Sequence, residues 1–367
     1  MDEEKLTNCK PDTLGENRIT YIDLAKGVAI IAVIIGHMHI WKFNNIIYSF
    51  HMPFFFILSG AFISQKYSEI FYIKRKAWQL LRPYIFTCVM LILLSVIINI
   101  IMGNINDILH DVWKWLAASF YGSGNIERYG IKRVGAIWFL LASFFSCSFV
   151  RLICNKKYAF LIVILVGLIG YLTTDLVWLP LSLQVAAVAS IYVYIGYYLK
   201  NSKKKFSLRT KFLGSILVII IWILTICFGQ INMAKNLYKY GIFSFLGALC
   251  GVLVVFAICK KFAENKKLAK LTNLLCFYGK NSLVILCFHL LELEMFPWKW
   301  LRNSLLEIGL SNWTIIIVRF GLKMCIATLA IIIVNKFCFL KNIFYSNYNG
   351  HNISCSKNSA NENLTSK

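Results

Sequence analysis

The chain has 367 residues, of which 59% are hydrophobic and 15% are charged, and its mean hydropathy is +0.66. This composition excludes an ordinary soluble domain, whose surface needs a larger share of charged side chains. The formal net charge of +23 would fit a nucleic-acid-binding protein. However, most of the Lys and Arg residues lie in short loops between apolar runs, which indicates membrane topology first and a ligand footprint second.

Ten apolar runs are long enough to cross a bilayer as helices, because roughly 17–25 residues span its hydrocarbon core. The runs are continuous and do not alternate, which favours helices over strands. The sequence therefore predicts an all-α polytopic membrane protein. Its ten transmembrane helices are expected at 22–41, 46–64, 84–102, 136–153, 158–174, 181–199, 211–229, 240–259, 276–296 and 312–340.

The loops that alternate with these runs differ in charge. If the N-terminus lies in the cytoplasm, the inner loops hold most of the Lys and Arg residues, including the run 203–205. By the positive-inside rule both ends of the chain are then cytoplasmic. Residues 1–17 are predicted to be a loose cytoplasmic lead, 18–340 the transmembrane domain, and 341–367 a polar, disordered cytoplasmic tail.

The first two runs contain ionisable side chains, namely Asp23, Lys26, His37 and His51. An Asp or Lys in hydrocarbon costs about 2.5–3.5 kcal/mol on insertion scales, so a chain keeps such groups there for chemistry or transport. A His has an unperturbed pKa near neutral pH and can serve as a general base. Asp23 lies about 20 Å along the helix from His37, too far to orient it.

Three later segments carry further candidates. Arg75 and Arg82 are seven residues apart in a basic run, which is typical either of a helix that binds anionic lipid or of a phosphate-binding pocket. Trp138 opens the fourth run and fits either an aromatic belt or a substrate contact. His289 lies near mid-membrane, where it fits a hydrogen bond between helices as well as a substrate contact.

Charged residues in the last two runs are expected to pair. Arg319 and Lys323 lie one turn apart in an apolar run, so we expect them to pair with Glu292 or Glu294. The twelve cysteines have no CxxC spacing and no zinc-type Cys/His cluster, so no metal site is predicted.

Two stretches carry a resemblance to a known family. They are Arg18…Asp23-Leu24-x-Lys26-Gly27…His37 and Phe50-His51-Met52-Pro53…Phe55-Phe56-x-x-Ser59-Gly60. This pattern resembles the membrane acyltransferase-3 family and is similar to its sugar O-acetyltransferase branch, including fucose acetylase-like proteins. The family motif has an Arg, then ten residues, then a His. Here Lys26 stands at the Arg position, which keeps the charge but loses the planar fork of a guanidinium.

The resemblance implies an O-acyltransferase of the bacterial plasma or inner membrane. It would move an acyl group, in this branch acetyl, from cytoplasmic acyl-CoA to a hydroxyl of a cell-surface glycan or a lipid-linked precursor. The acyl-CoA would be a co-substrate, with no tightly bound cofactor and no nucleic-acid partner. The expected catalytic residues are His37, His51, Lys26 and Asp23. The coenzyme would contact Arg18, Arg75 and Arg82, and the acceptor would contact Trp138, His289, Glu292 and Arg319.

Two other functions remain open on the sequence. A glycan transporter or flippase also uses buried charges, although it would spread them along a pathway at mid-membrane. A membrane scaffold leaves the buried histidines unexplained. Ser59 fits a covalent relay in the enzyme but is more typical of a packing contact.

Overall fold

The computed structural model describes residues 20–38, 40–124, 127, 129–202 and 208–345, with the backbone alone at 41, 42 and 208–213. Within these residues the chain is all-α apart from a small hairpin, β1 (Ile231–Asn232) and β2 (Leu237–Tyr238). The helices are α1 (Thr20–Gly36), α2 (Trp41–Ala61), α3 (Glu69–Ile101), α4 (Ile108–Tyr121), α5 (Trp138–Ile153), α6 (Ala159–Leu172), α7 (Leu183–Asn201), α8 (Leu208–Phe228), α9 (Ile242–Glu264), α10 (Ala269–Lys280), α11 (Ser282–Met295), α12 (Trp298–Glu307), α13 (Asn312–Lys336) and α14 (Cys338–Tyr345).

The predicted all-α class is confirmed, and helices occupy most of each predicted run, although the runs at 276–296 and 312–340 each contain parts of two helices. Four helical segments in the described part of the chain are by themselves long and apolar enough to cross a bilayer. They are Glu69–Ile101, Gly135–Ile153, Ile242–Glu264 and Asn312–Lys336. Along α3 the large apolar side chains of Ile85, Val89, Leu93 and Ile97 are exposed at four-residue intervals, as a lipid-facing stripe would be.

The run predicted as one straight span at 276–296 is broken. Helices α10 and α11 meet at Asn281 with a bend of 71°, and the pair counts as a fifth possible span. At the break the side chain of Asn281 hydrogen-bonds to the carbonyl of Phe277, and Tyr345 Oη donates to Asn281 Oδ1. The prediction of one continuous helix is therefore wrong here, and these two hydrogen bonds hold the side chain of Asn281 at the bend.

Two close crossings of helices fix the positions of α1 and α2. A Cβ at Gly27 would lie 2.0 Å from the carbonyl oxygen of Leu275, and one at Gly279 would lie 1.8 Å from that of Asp23. Only glycine allows backbones to approach so closely. Gly60 and Gly196 make the same reciprocal contact between α2 and α7, each 1.9 Å from a backbone oxygen by the same measure. The helices α1 and α2, which contain the ionisable residues predicted as the site, are thus each fixed by one close crossing, α1 with α10 and α2 with α7.

The chain termini lie largely outside the described residues. This applies to the predicted lead at 1–17, to Arg18 and to residues 346–367 of the predicted tail. Helix α14 continues to Tyr345, inside the segment predicted as a tail, with Phe344 buried against Phe86 and Phe288. Apolar packing orders this stretch despite the polar sequence that follows it.

Candidate functional site

The two predicted histidines of the first helices line one cavity of about 670 Å³. We call it the histidine cavity. Besides His37 and His51, it is lined by Met52, Trp138 and Arg319, among others, and it lies where α1 ends and α2 is in its first half. The structure thus brings together side chains that are far apart in the sequence.

His51 has a fixed tautomer. Its Nδ1 lies 2.6 Å from the carbonyl oxygen of Ile47, one turn earlier in α2. A carbonyl can only accept a hydrogen bond, so Nδ1 carries the proton and Nε2 of the neutral ring is left as an acceptor. The ring is buried and packs edge-on against Tyr48 at 5.2 Å. This arrangement leaves Nε2 in the form that a general base requires.

His289 lies beside His37, with 5.3 Å between the ring centroids. Its Nδ1 is 2.6 Å from Glu292 Oε1, and its buried Nε2 has no hydrogen-bond partner among the described residues. A carboxylate against Nδ1 sets the tautomer and aims Nε2 as an acceptor, as in acid–base dyads. The role of His289 as a substrate contact stays a prediction. Its ring lies against that of His37, where it can hold the His37 ring in position.

Glu292 is the centre of a buried ionic cluster. Lys323 Nζ donates to both carboxylate oxygens, at 2.6 and 2.9 Å, which confirms the expected pairing of the last two spans. The same ammonium lies 3.9 Å from the ring centroid of Trp298, whose Nε1 donates to the Glu292 carbonyl. The cluster neutralises the charges that membrane burial would otherwise penalise.

Of the four predicted acceptor contacts, Trp138 and Arg319 line the histidine cavity, whereas His289 and Glu292 do not. The Arg319 guanidinium is 5.8 Å from the Trp298 ring, so it stacks on an aromatic side chain and does not take the ion pair that Lys323 makes. Trp138 is buried against Phe56 and Phe139, whereas a belt residue would face lipid. At the rim, Lys132 Nζ is 3.9 Å from Glu294 Oε2 and 3.7 Å from the Trp115 ring.

A second cavity of about 220 Å³ lies at the opposite ends of α1 and α2. We call it the lysine cavity. Lys26 and Lys76 line it together with Ser59, and the remaining wall is mostly apolar. Lys26 Nζ is 3.5 Å from Asp23 Oδ1, so the two ionisable groups expected at one end of α1 do pair there. The paired groups sit far along the helix from His37.

The predicted coenzyme residues of the basic run do not line this cavity. The Arg75 guanidinium lies 5.9 Å from the Tyr67 ring, and that of Arg82 lies 4.0 Å from the Trp78 ring. Lys76, which the sequence reading did not single out, faces the cavity instead. Neighbours on a helix point about 100° apart, so the sequence alone did not decide which cation of the run points inward.

Met52 lines both cavities and was also missed by the sequence reading. On α1 one face carries Lys26, Ile30 and Val33 along the lysine cavity and then His37 in the histidine cavity. The spacing of four, three and four residues covers roughly 16 Å of helix. The two cavities are therefore arranged end to end. Lys26 and Lys76 line one, and the imidazoles of His37 and His51 line the other together with Arg133, Lys299 and Arg319.

The fold is that of a helical membrane protein, with histidines that line a cavity among its helices. The family model described as an acyltransferase domain matches residues 19–336. Because the match covers most of the chain, the chain belongs to this acyltransferase-3 family and is an acyltransferase, which confirms the family resemblance.

A curated relative shares part of this domain. The nodulation protein NolL of Mesorhizobium japonicum is 27% identical over 154 residues, which are 37% of this chain and 36% of the relative. The chain thus matches about a third of the length of that relative. No solved structure matches the chain.

Proposed function

We propose that the protein is a multi-pass O-acyltransferase of a bacterial plasma membrane. It moves an acyl group, in its branch acetyl, from cytoplasmic acyl-CoA to a hydroxyl of a cell-surface glycan or a lipid-linked precursor. The observation that carries this proposal is the end-to-end pair of cavities, one with Lys26 and Lys76 and the other with His37 and His51. A donor and an acceptor that approach from opposite sides of a membrane need such a layout.

The proposed topology has ten spans with both chain ends in the cytoplasm. The Lys and Arg bias of the loops supports this orientation. In the wall of the lysine cavity Lys26 lies in the first half of α1 and Ser59 near the end of α2, so in this orientation the cavity belongs to the cytoplasmic half. The histidine cavity then belongs to the outer half, where glycans are found.

The proposed donor site is the lysine cavity. Lys26 and Lys76 supply two positive charges for the phosphates of the coenzyme, and the apolar wall accepts the uncharged arm that carries the thioester. Asp23 holds Lys26 in place by the pair at 3.5 Å. No tightly bound cofactor is needed, since acyl-CoA enters and leaves as a co-substrate.

The proposed reaction is a direct transfer in the histidine cavity. A hydroxyl of the acceptor attacks the thioester carbonyl while the imidazole of His37 takes the hydroxyl proton, and His51 lines the same cavity. A carbon–oxygen bond forms, the carbon–sulfur bond breaks, and the thiolate receives the proton from His37. The Glu292–His289 pair positions His37 through the ring contact at 5.3 Å. A glycan acceptor is proposed from the resemblance to the sugar O-acetyltransferase branch.

The test uses membranes from cells whose own copy of the gene is deleted and replaced by the wild-type gene or an empty vector. Acetyl-CoA labelled in the acetyl group is added, and label in the glycan and lipid-linked sugar fractions is measured after removal of free coenzyme. We expect label in the wild-type membranes alone. If no acyl-CoA labels these fractions while a glycan crosses the membrane of wild-type vesicles, the proposed transfer reaction is wrong.

A further inference from the structure

Met52 lies at the junction of the two cavities. Among the described residues it is the one side chain shared by both walls, and it is 7% exposed. Its neighbour His51 lines the histidine cavity, whereas Phe55, Ser59 and Phe62 continue along the lysine cavity at spacings of three, four and three. This spacing puts Met52 on the same face of α2 as the donor-side residues.

An acyl group that enters through the lysine cavity has to pass Met52 to come within reach of His37. The cavities are separate, with Met52 in the wall of each. Methionine is unbranched and has three rotatable side-chain bonds, so it can swing aside for a narrow group without a change in the backbone. A branched acyl group needs a wider opening than this rotation provides.

We propose that Met52 is a constriction that selects small, unbranched acyl groups on their way to the histidines. The proposal rests on the proposed function, because it assumes that the lysine cavity takes the acyl donor. It assigns a specificity-determining role to a residue outside the acid–base set. It also implies that a smaller side chain at position 52 admits bulkier acyl groups and lets more water reach the thioester.

The experiment compares acetyl-CoA with isobutyryl-CoA in the membrane labelling assay, for the wild type and three variants at position 52. In Met52→Ala we expect the ratio of isobutyryl to acetyl transfer to rise about tenfold, which is the lower range for one missing methylene in an apolar pocket. Hydrolysis of acetyl-CoA without transfer rises in the same variant. Met52→Leu conserves volume and is expected to keep the wild-type ratio. Met52→Phe should lose transfer of both groups while CoA still stabilises the protein against heat.

A matched control is Leu286→Ala, because Leu286 lines the lysine cavity without lining the histidine cavity. It should leave the acyl preference unchanged. The inference is overturned if Met52→Ala keeps the wild-type ratio, or if Leu286→Ala shifts it equally. If Met52→Ala does not fold, wild-type transfer rates in Met52→Phe overturn it on their own. Failure of the proposed function looks different, since the wild type would then transfer neither group.

Discussion

Glu292 contacts His289 and Lys323 at once, at 2.6 Å in each case, so changes at the three residues are coupled. Glu292→Gln leaves the Lys323 ammonium buried without its counter-charge. Loss of one partner of a buried pair costs about 3–5 kcal/mol. We expect a large fall in thermal stability in detergent and loss of transfer.

The double variant Glu292→Gln with Lys323→Met separates the two effects. Both charges are then gone, so most of the stability should return. Transfer should stay low and its pH profile should change, because the tautomer of His289 is no longer set by a carboxylate. Recovery of wild-type transfer together with stability would show that the cluster has only a structural role.

His37 is expected to be essential for the chemical step. His37→Ala should abolish transfer from acetyl-CoA, with a loss of at least about a hundredfold, the lower range for general-base catalysis. His51→Ala should give a smaller loss. The matched control is His110→Ala, because His110 is exposed on α4 and lines neither cavity. Wild-type glycan acetylation in His37→Ala would refute the assignment of the base.

The cations that line the lysine cavity can be compared with neighbouring cations that do not line it. Lys76→Met and Lys26→Met should raise the half-saturating acetyl-CoA concentration about tenfold each without changing that for the acceptor, because each removes a cation from the lysine cavity. Lys26→Arg should keep much of the activity. Arg75→Gln and Arg82→Gln serve as comparisons on the same helix. A larger effect from these arginines than from Lys76 would indicate that Arg75 and Arg82 bind the coenzyme.

Among the helices, the crossing of α2 and α7 is sensitive to the addition of a single methyl group. In Gly60→Ala the new Cβ would meet the carbonyl oxygen of Val193, so the two backbones must separate. Overpacking of this kind costs about 1–3 kcal/mol, and we expect a lower melting temperature in detergent. Gly321→Ala in α13 is the control, since a Cβ there meets nothing within 4 Å. Equal melting temperatures for the two variants would argue against the close crossing.

The sequence predicted where helices lie better than where they begin or break. Length and hydropathy located every apolar run, because lipid-facing and buried helices are both apolar. The second run was expected to start at 46, yet α2 starts at Trp41 and contains Pro53 in its interior. Likewise α3 starts at Glu69, before the run predicted at 84–102, so it contains both the basic run and Pro83. Neighbouring helices in a membrane protein hold such prolines in place, and hydropathy alone does not register this.

For the site, the ionisable residues could be predicted from the sequence, but most of their contacts could not. The acyltransferase motif located His37, His51 and Lys26. The Glu292–Lys323 pair was foreseen because unpaired charges in apolar runs are costly. Met52 stands inside the family stretch but was given no role, since a methionine in an apolar run is common, and Lys76 carried no signal within the basic run. Their importance comes from packing between helices that are distant in the chain.

At the scale of the whole molecule, the account depends on which side of the membrane the lysine cavity faces. In the proposed topology it lies in the cytoplasmic half, and Arg151, which the same topology assigns to that side, is buried and bound to Glu69 at 3.4 Å. The histidines then lie in the outer half, so donor and acceptor meet between the two faces. This arrangement distinguishes transfer across the membrane from transfer on one face.

The most direct test is to supply labelled acetyl-CoA to sealed inside-out and right-side-out vesicles that contain the protein and to measure label in glycan or lipid-linked sugar. We predict that label appears in inside-out vesicles, whose cytoplasmic face is accessible, and in right-side-out vesicles only when acetyl-CoA is loaded inside them. His37→Ala should remove the label from both preparations. Label in sealed right-side-out vesicles with acetyl-CoA added outside alone would contradict the cytoplasmic donor site.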